Sequence, residues 1–142
     1  MNQALTGRNK LILIIPAFWA ALFDICITIY QQPKEYWTGN LKAGNEGNPI
    51  GAIFMANHVS GLFVISFAWL VIILVLGYYL PRRIARVFLL FTLIAHSFGA
   101  STRLSNYYGF WWAILFILTN SILFYLTLDI VNKQRKGERE VT

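Results

Sequence analysis

Four long apolar segments constrain this chain more than any other feature of its sequence. They cover residues 11–30, 52–80, 84–105 and 110–131 of a chain of 142 residues. Each is close to or longer than the roughly 20 apolar residues that an α-helix needs to cross a bilayer core. Because backbone polar groups in lipid must be satisfied internally, such segments form helices. The sequence therefore predicts an all-α fold, an integral membrane four-helix bundle in a single domain.

The composition supports this assignment. Hydrophobic residues make up 57% of the chain and charged residues 13%, whereas a soluble domain has roughly 25% charged residues. A formal net charge of +6 would suggest nucleic acid in a soluble protein. Here the basic residues have a topological explanation, so we predict the lipid bilayer as the partner and no nucleic acid. The single Cys26 excludes an internal disulfide.

The distribution of lysine and arginine predicts the orientation. Nine basic residues fall on one side of the predicted bundle and three on the other. The nine are Arg8, Lys10, Arg82, Arg83, Arg86, Lys133, Arg135, Lys136 and Arg139, and the three are Lys34, Lys42 and Arg103. By the positive-inside rule, both termini and the tail 132–142 are cytoplasmic and the loop 31–49 faces outside. We expect the inner (plasma) membrane of a prokaryote.

Three polar residues lie deep in the predicted spans. Counting 1.5 Å per residue from the cytoplasmic ends places Asp24, His96 and Asn120 at similar depth, near the midplane. An ionisable group there is costly unless paired, and is a functional-site hypothesis by default. We predict a carboxylate–imidazole pair of Asp24 and His96, with a hydrogen bond added by Asn120. The alternative is a polar clamp that only fixes helix packing.

A second polar layer lies nearer the outer surface. It contains Thr28, Glu46, Asn48, His58 and Arg103, which we predict as binding residues. The last four would form an outer rim, and the rim and the buried pair form either one site or two. Each also has a simpler interpretation. Glu46 and Asn48 suit a turn and a helix entry, His58 suits an interface, and Arg103 can extend to lipid phosphate. The loop would then be a lid over a buried pair.

Four of these side chains are candidate metal ligands. Asp24, Glu46, His58 and His96 are residue types that zinc or another divalent ion accepts, and a bound metal could activate water. The spacing opposes the idea, because His58 and His96 differ in depth by about 15 Å. A bend near residues 57–61 would reduce that gap. A divalent metal such as zinc is therefore one hypothesis for a cofactor.

One series of motifs resembles a group of small bacterial and archaeal membrane proteins without an established activity. The series is an Asp-x-x-x-Thr, a Glu-x-Asn-Pro, a basic turn and a histidine, carried here by Asp24, Thr28, Glu46, Asn48, Pro49, residues 81–86 and His96. The resemblance covers residues 11–105, and the fourth span departs from it. It implies that Asp24, Glu46 and Asn48 act together.

Three classes of function are consistent with these residues. The first is a binding or accessory component of a membrane system, with a polar site in its outer half. The second is a metal-dependent enzyme acting on a lipid or peptide near the outer leaflet, with Asp24 and His96 as candidate catalytic residues. The third is a small transporter or proton pathway, against which the inner half offers few polar residues. Homo-oligomers or a larger membrane complex are also expected, because four helices shield polar groups poorly.

Overall fold

The computed structural model describes residues 7–140, and it describes the side chains of all of these residues except 135 and 138–140. This part of the chain contains helices and no strand, so the predicted all-α fold is confirmed. The helices are α1 (Gly7–Tyr30), α2 (Lys34–Trp37), α3 (Pro49–Asn57), α4 (Gly61–Tyr79), α5 (Arg82–Tyr108) and α6 (Phe110–Glu140), with a short 3-10 helix at Leu41–Ala43.

Four of these helices are long and apolar enough to cross a membrane: α1, α4, α5 and the Phe110–Gln134 part of α6. Helices α1 and α5 form the centre of the bundle, since each contacts all three of the other long helices. Helix α4 packs on α1 and α5 but makes no contact with α6 within the described residues. The predicted four-helix membrane bundle is thus the observed architecture.

The bundle has a basic end and a loop end. The basic end holds the start of α1, the turn between α4 and α5, and the end of α6. At this end the Lys10 ammonium donates a hydrogen bond to the carbonyl of Tyr78, 2.9 Å away. The loop end holds residues 31–48 and the turn at Gly109, whose φ of 101° favours glycine.

The second apolar segment, expected as one span over 52–80, is divided into α3 and α4. His58 ends α3 in an extended conformation, with φ −163° and ψ 151°. Its Nδ1 then accepts the backbone N–H of Ser60 at 3.0 Å, which stabilises the turn between α3 and α4. A Cβ at Gly61 would lie 2.0 Å from the carbonyl oxygen of Phe54. Only glycine therefore permits this close approach of α4 to α3.

The last helix extends beyond its predicted end. Residues 132–140, expected as a tail, continue α6. An ion pair one helical turn apart, Lys133 Nζ to Asp129 Oδ2 at 2.8 Å, lies across this extension, and such i,i+4 pairs support a helix. The sequence from Asn132 to Lys136 contains neither proline nor glycine, so nothing breaks the helix there.

Two apolar clusters fill the interior at different levels. The one nearer the basic end consists of Ile14, Ala17, Ala20, Ala21, Ile73, Leu89 and Leu93. The one nearer the loop end consists of Ile27, Ala100, Leu104, Ala113 and Phe116. The alanines of α1 let the backbones approach closely, as small residues do in membrane bundles. Along α1 and α5, the residues between the two clusters include Asp24 and His96.

Candidate functional site

Asp24 of α1 and His96 of α5 form a direct pair. Nδ1 of His96 lies 2.8 Å from Oδ2 of Asp24, and both side chains are largely buried, at 17% and 19% exposure. On the other side of the ring, the indole N–H of Trp69 in α4 donates to Nε2 of His96 at 2.6 Å. Three helices thus contribute one residue each to a continuous hydrogen-bonded network.

The network determines where the imidazole carries its proton. An indole N–H can only donate, so Nε2 of His96 must be the acceptor and therefore carries no hydrogen. The ring proton is then on Nδ1, from which it is donated to the carboxylate of Asp24. A neutral imidazole fits this arrangement, because a protonated Nε2 would face another donor.

Gly99 makes room for this carboxylate. A Cβ at position 99 would lie 3.0 Å from Oδ2 and 3.2 Å from Oδ1 of Asp24, which is tighter than an ordinary van der Waals contact. The carboxylate therefore packs against the bare backbone of α5, one turn beyond His96. Gly99 is thus related directly to the Asp24–His96 pair.

Asn120 of α6 has a different partner from the one predicted. Its Nδ2 donates to Oγ of Ser97 at 2.8 Å, and no hydrogen bond joins it to Asp24 or His96 within the described residues. Ser97 lies about 100° around α5 from His96, so α6 packs against a neighbouring face. Asn120 therefore extends the polar layer from α5 to α6 and does not touch the pair itself.

Several buried polar atoms near the network have no partner within the described residues. They are Oγ1 of Thr92, Oγ of Ser101 and Oδ1 of Asn120. Thr92 lies one turn of α5 from His96, and Ser101 one turn from Ser97. Buried polar groups in proteins are nearly always hydrogen-bonded to protein or to water. These atoms therefore mark positions where a water molecule or a small polar ligand would be stabilised.

The loop closes over the end of α1 through Asn45. The side-chain amide of Gln32 donates to the carbonyl of Asn45 at 2.9 Å and accepts the backbone N–H of Asn45 at 2.8 Å. From α5, Nη2 of Arg103 donates to the same carbonyl at 2.9 Å and lies 3.7 Å from Oε2 of Glu46. We call Gln32, Asn45, Glu46 and Arg103 the loop clamp. It joins two predicted rim residues, Glu46 and Arg103.

Tyr36 attaches the other part of the loop. Its side chain is fully buried in a cluster with Met55 and Leu62. Its hydroxyl donates to the carbonyl of Val59, 3.2 Å away, in the break between α3 and α4. Burial raises the pKa of Tyr36 above its ordinary value of 10.0, so the hydroxyl stays protonated and continues to donate. The loop is thus attached to the α3–α4 junction as well as to α5.

The remaining predicted rim residues have local structural roles. Oδ1 of Asn48 accepts the N–H of Ile50 at 3.0 Å and caps α3, while Oε1 of Glu46 accepts the N–H of Asn48 at 2.8 Å. His58 contacts Ser60, with Nδ1 and Oγ 2.8 Å apart. The carbonyl of buried Thr28 accepts from the amide of Gln32 at 3.1 Å. His58 therefore belongs to the turn between α3 and α4 and not to the polar network.

The structure does not support the predicted metal site. Within residues 7–140, no group of three or more His, Cys, Asp or Glu side chains is placed to hold a metal ion. Asp24 and His96 pair with each other, Glu46 pairs with Arg103, and His58 binds Ser60 in the turn between α3 and α4. The bend near residue 58 does form, but the imidazole of His58 is engaged by Ser60. The four candidate ligands Asp24, Glu46, His58 and His96 thus belong to three separate contacts.

Trp69 is the member of the network that sequence reasoning missed. Tryptophan in membrane helices is enriched at the interfaces, whereas Trp69 lies in the middle of α4. A buried indole N–H usually finds a hydrogen-bond partner. Its mid-span position was therefore a usable signal that an acceptor lies opposite it.

Comparisons with models of protein families, with curated proteins and with solved structures find no match to this chain. The resemblance to small bacterial and archaeal membrane proteins therefore stays a prediction. What the fold and the composition define is a class: a small α-helical protein with four helices suited to crossing a membrane. Within that class, its distinguishing feature is the ionisable network of Asp24, His96 and Trp69.

Proposed function

We propose that this chain is a binding or accessory component of a membrane system, with a site for a small polar ligand beside Asp24 and His96. The observation that carries the proposal is the network itself: a carboxylate–imidazole pair oriented by Trp69. Support comes from the unpartnered hydroxyls of Thr92 and Ser101, which lie within two turns of His96 along α5. The site is reached from the loop end when the loop clamp opens. The loop is therefore a lid, and the three helices are the frame of the site.

The free acceptors indicate the chemistry of the ligand. Oδ1 of Asp24 makes no hydrogen bond within the described residues, and neither does Oδ1 of Asn120. We propose that the carboxylate of Asp24 is ionised in the site, so that the pair carries one negative charge. A ligand that carries hydrogen-bond donors, such as a small amine or amide, satisfies acceptors of this kind, and a positive charge on it is favoured. An anion is disfavoured for the same reason.

The cost of the pair argues against a purely structural role. A carboxylate at the centre of a membrane helix costs roughly 2.5–3.5 kcal/mol on insertion scales. An apolar contact between α1 and α5 would give packing without that cost, as the alanines of α1 already do one turn away. Retaining an ionised pair with a free carboxylate oxygen is what a binding site requires.

The apolar cluster nearer the basic end favours binding over transport. Ala20, Ala21 and Ile73 of this cluster are fully buried, and they separate the network from the basic end. A proton or solute pathway would need polar groups or water through that level. We therefore place the access route on the loop side alone.

The proposed orientation has both termini in the cytoplasm and the lid outside. Its support is the excess of lysine and arginine at the basic end. The site would then take its ligand from the outer surface of an inner (plasma) membrane. We also propose that the chain associates with a second copy or with a larger complex. Among the long helices, α4 contacts α1 and α5 but not α6, so part of its surface is left for such a partner.

Accessibility of one residue tests the proposal. Ser97→Cys, made in a Cys26→Ala background, places a thiol beside Asn120 with little change in volume. The protein is reconstituted in sealed vesicles of known orientation and treated with a small cationic thiol reagent from one side at a time. We expect reaction from the loop end only, and faster reaction when Arg103→Gln opens the loop clamp.

The matched control is Ala21→Cys in the same background, which lies in the apolar cluster and should stay unreactive from both sides. Equal reaction of Ser97→Cys from both sides would favour a transporter. No reaction from either side, with or without Arg103→Gln, would refute the binding site. The network would then serve only to fix the packing of the helices.

A further inference from the structure

A groove at the basic end lies between α1, α5 and α6, apart from the polar network. Its volume is about 240 Å³, and it is lined by Leu13, Pro16, Ala17, Arg86, Leu89, Leu90, Leu93, Phe124, Leu128 and Asn132. Eight of these ten residues are apolar. The two polar ones, Arg86 and Asn132, come from the ends of α5 and α6 that lie at the basic end.

The groove is elongated along the helix axes. From Arg86 to Leu93 the helix rises by about 10 Å, and from Asn132 back to Phe124 by about 12 Å. The volume is below the roughly 300–1,000 Å³ of pockets that enclose a drug-sized molecule. One linear apolar chain, entering from the membrane and leaving its polar end at Arg86, matches this shape.

Arg86 is available to a ligand. Its side chain is exposed, and it makes no ion pair within the described residues, whereas Lys133 is paired with Asp129 and Arg103 with Glu46. A guanidinium binds phosphate through two parallel hydrogen bonds. Asn132 offers an amide donor on the opposite wall of the groove. The mouth of the groove is thus a cationic, donor-rich position above an apolar slot.

We infer that this groove binds an anionic phospholipid, with one acyl chain between α1, α5 and α6 and the phosphate at Arg86. The argument is charge complementarity combined with shape: a single cation lies where an apolar chain would end in its headgroup. Basic pockets between membrane helices recognise anionic headgroups in this way. A helix from a second copy would fill the apolar slot but would leave Arg86 without an anion.

Lipid retention tests the inference. The full-length protein is exchanged into equal amounts of phosphatidylglycerol and phosphatidylcholine with identical acyl chains. It is then stripped with detergent, and the retained lipids are counted by native mass spectrometry. We expect wild-type protein to retain phosphatidylglycerol preferentially. Arg86→Gln should lower that preference roughly fivefold, because one Lys or Arg near an anionic membrane surface strengthens binding by about that factor.

Two matched controls separate the groove from general surface charge and from side-chain bulk. Arg83→Gln removes an exposed charge of the same turn that does not line the groove, and it should leave the preference intact. Leu90→Trp fills the groove and should abolish retention, whereas Val87→Trp adds the same bulk to a face outside it and should not.

An equal loss of preference in Arg83→Gln and Arg86→Gln would overturn the inference, because the effect would then be non-specific. Retention that survives Leu90→Trp would overturn it as well. So would a dimer in wild-type protein that Leu90→Trp dissociates, since a second copy would then occupy the groove.

Discussion

The indole N–H of Trp69 and the imidazole of His96 are joined by a hydrogen bond of 2.6 Å, and this contact orients the His96–Asp24 pair. Because Trp69 occupies Nε2 as a donor, the imidazole presents its single proton to Asp24. The position of a proton in the centre of the bundle is thus controlled from a third helix, α4. The pair is best understood as part of a three-helix unit.

Trp69→Phe removes the donor and keeps the aromatic packing. We expect the ¹⁵N NMR signals of His96 to change from the Nδ1–H tautomer to a mixture of tautomers. Stability should fall by about 1 kcal/mol, the usual net worth of one hydrogen bond. Trp19→Phe, at a 40% exposed position of α1, is the control and should leave the His96 signals unchanged. An unaltered tautomer in Trp69→Phe would contradict the assignment.

Gly99→Ala should disturb the pair directly. The new methyl group would lie 3.0 Å from Oδ2 of Asp24, so the carboxylate has to move or α1 has to shift. Overpacking of this kind costs about 1–3 kcal/mol, which thermal unfolding in detergent measures. Gly137→Ala is the control, because a Cβ there meets nothing within 4 Å. It should be neutral or stabilising by up to about 1 kcal/mol; equal destabilisation in both variants would refute the explanation.

Gly61→Ala should disrupt the junction of α3 and α4. A Cβ at this position would lie 2.0 Å from the Phe54 carbonyl oxygen, and backbone cannot yield as a flexible side chain does. We expect a loss of more than about 2 kcal/mol and faster hydrogen exchange in residues 49–60. Gly47→Ala, where a Cβ meets nothing within 4 Å, should change neither measurement. A Gly61→Ala protein as stable as wild type would disprove the tight junction.

Tyr36 gives the loop a dependence on alkaline pH. Burial raises its pKa above 10.0 in the folded protein, so the folded state binds the phenolic proton more tightly than the unfolded state. This stabilisation is complete below about pH 10 and is lost as the pH rises through the raised value. Unfolding measured from pH 8 to 12 should show that loss. In Tyr36→Phe this part of the pH dependence should disappear. If the stability of wild type and of Tyr36→Phe falls equally with rising pH, Tyr36 is not responsible.

Much of the architecture could be predicted from hydropathy. The contact between Asp24 and His96 could be predicted from the depth of each residue along its predicted span. Each of the four apolar segments corresponds to one long helix, and the second also contains most of α3. Lipid leaves the backbone no other way to satisfy its hydrogen bonds. Asp24 and His96 could be paired by counting residues, since straight helices share one rise per residue. Asn120 was placed at the right level but with the wrong partner, because rotation about the helix axis is set by packing.

Other contacts left little trace in the sequence. The break at His58 interrupts a segment that is apolar on both sides, so hydropathy alone does not reveal it. The loop clamp depends on the carbonyl of Asn45, and every residue has a carbonyl, so the composition carries no signal for it. The proposed metal ligands shared residue types but not a location, and only the path of the chain separates them.

Helix α4 begins at the junction that Tyr36 contacts, and it carries Trp69 eight residues later, about 12 Å along its axis. The loop is therefore attached to α5 through Arg103 and to the junction before α4 through Tyr36. Side chains of α5 and α4 also meet at His96. The same two helices therefore carry both the attachments of the loop and the hydrogen-bonded centre of the bundle.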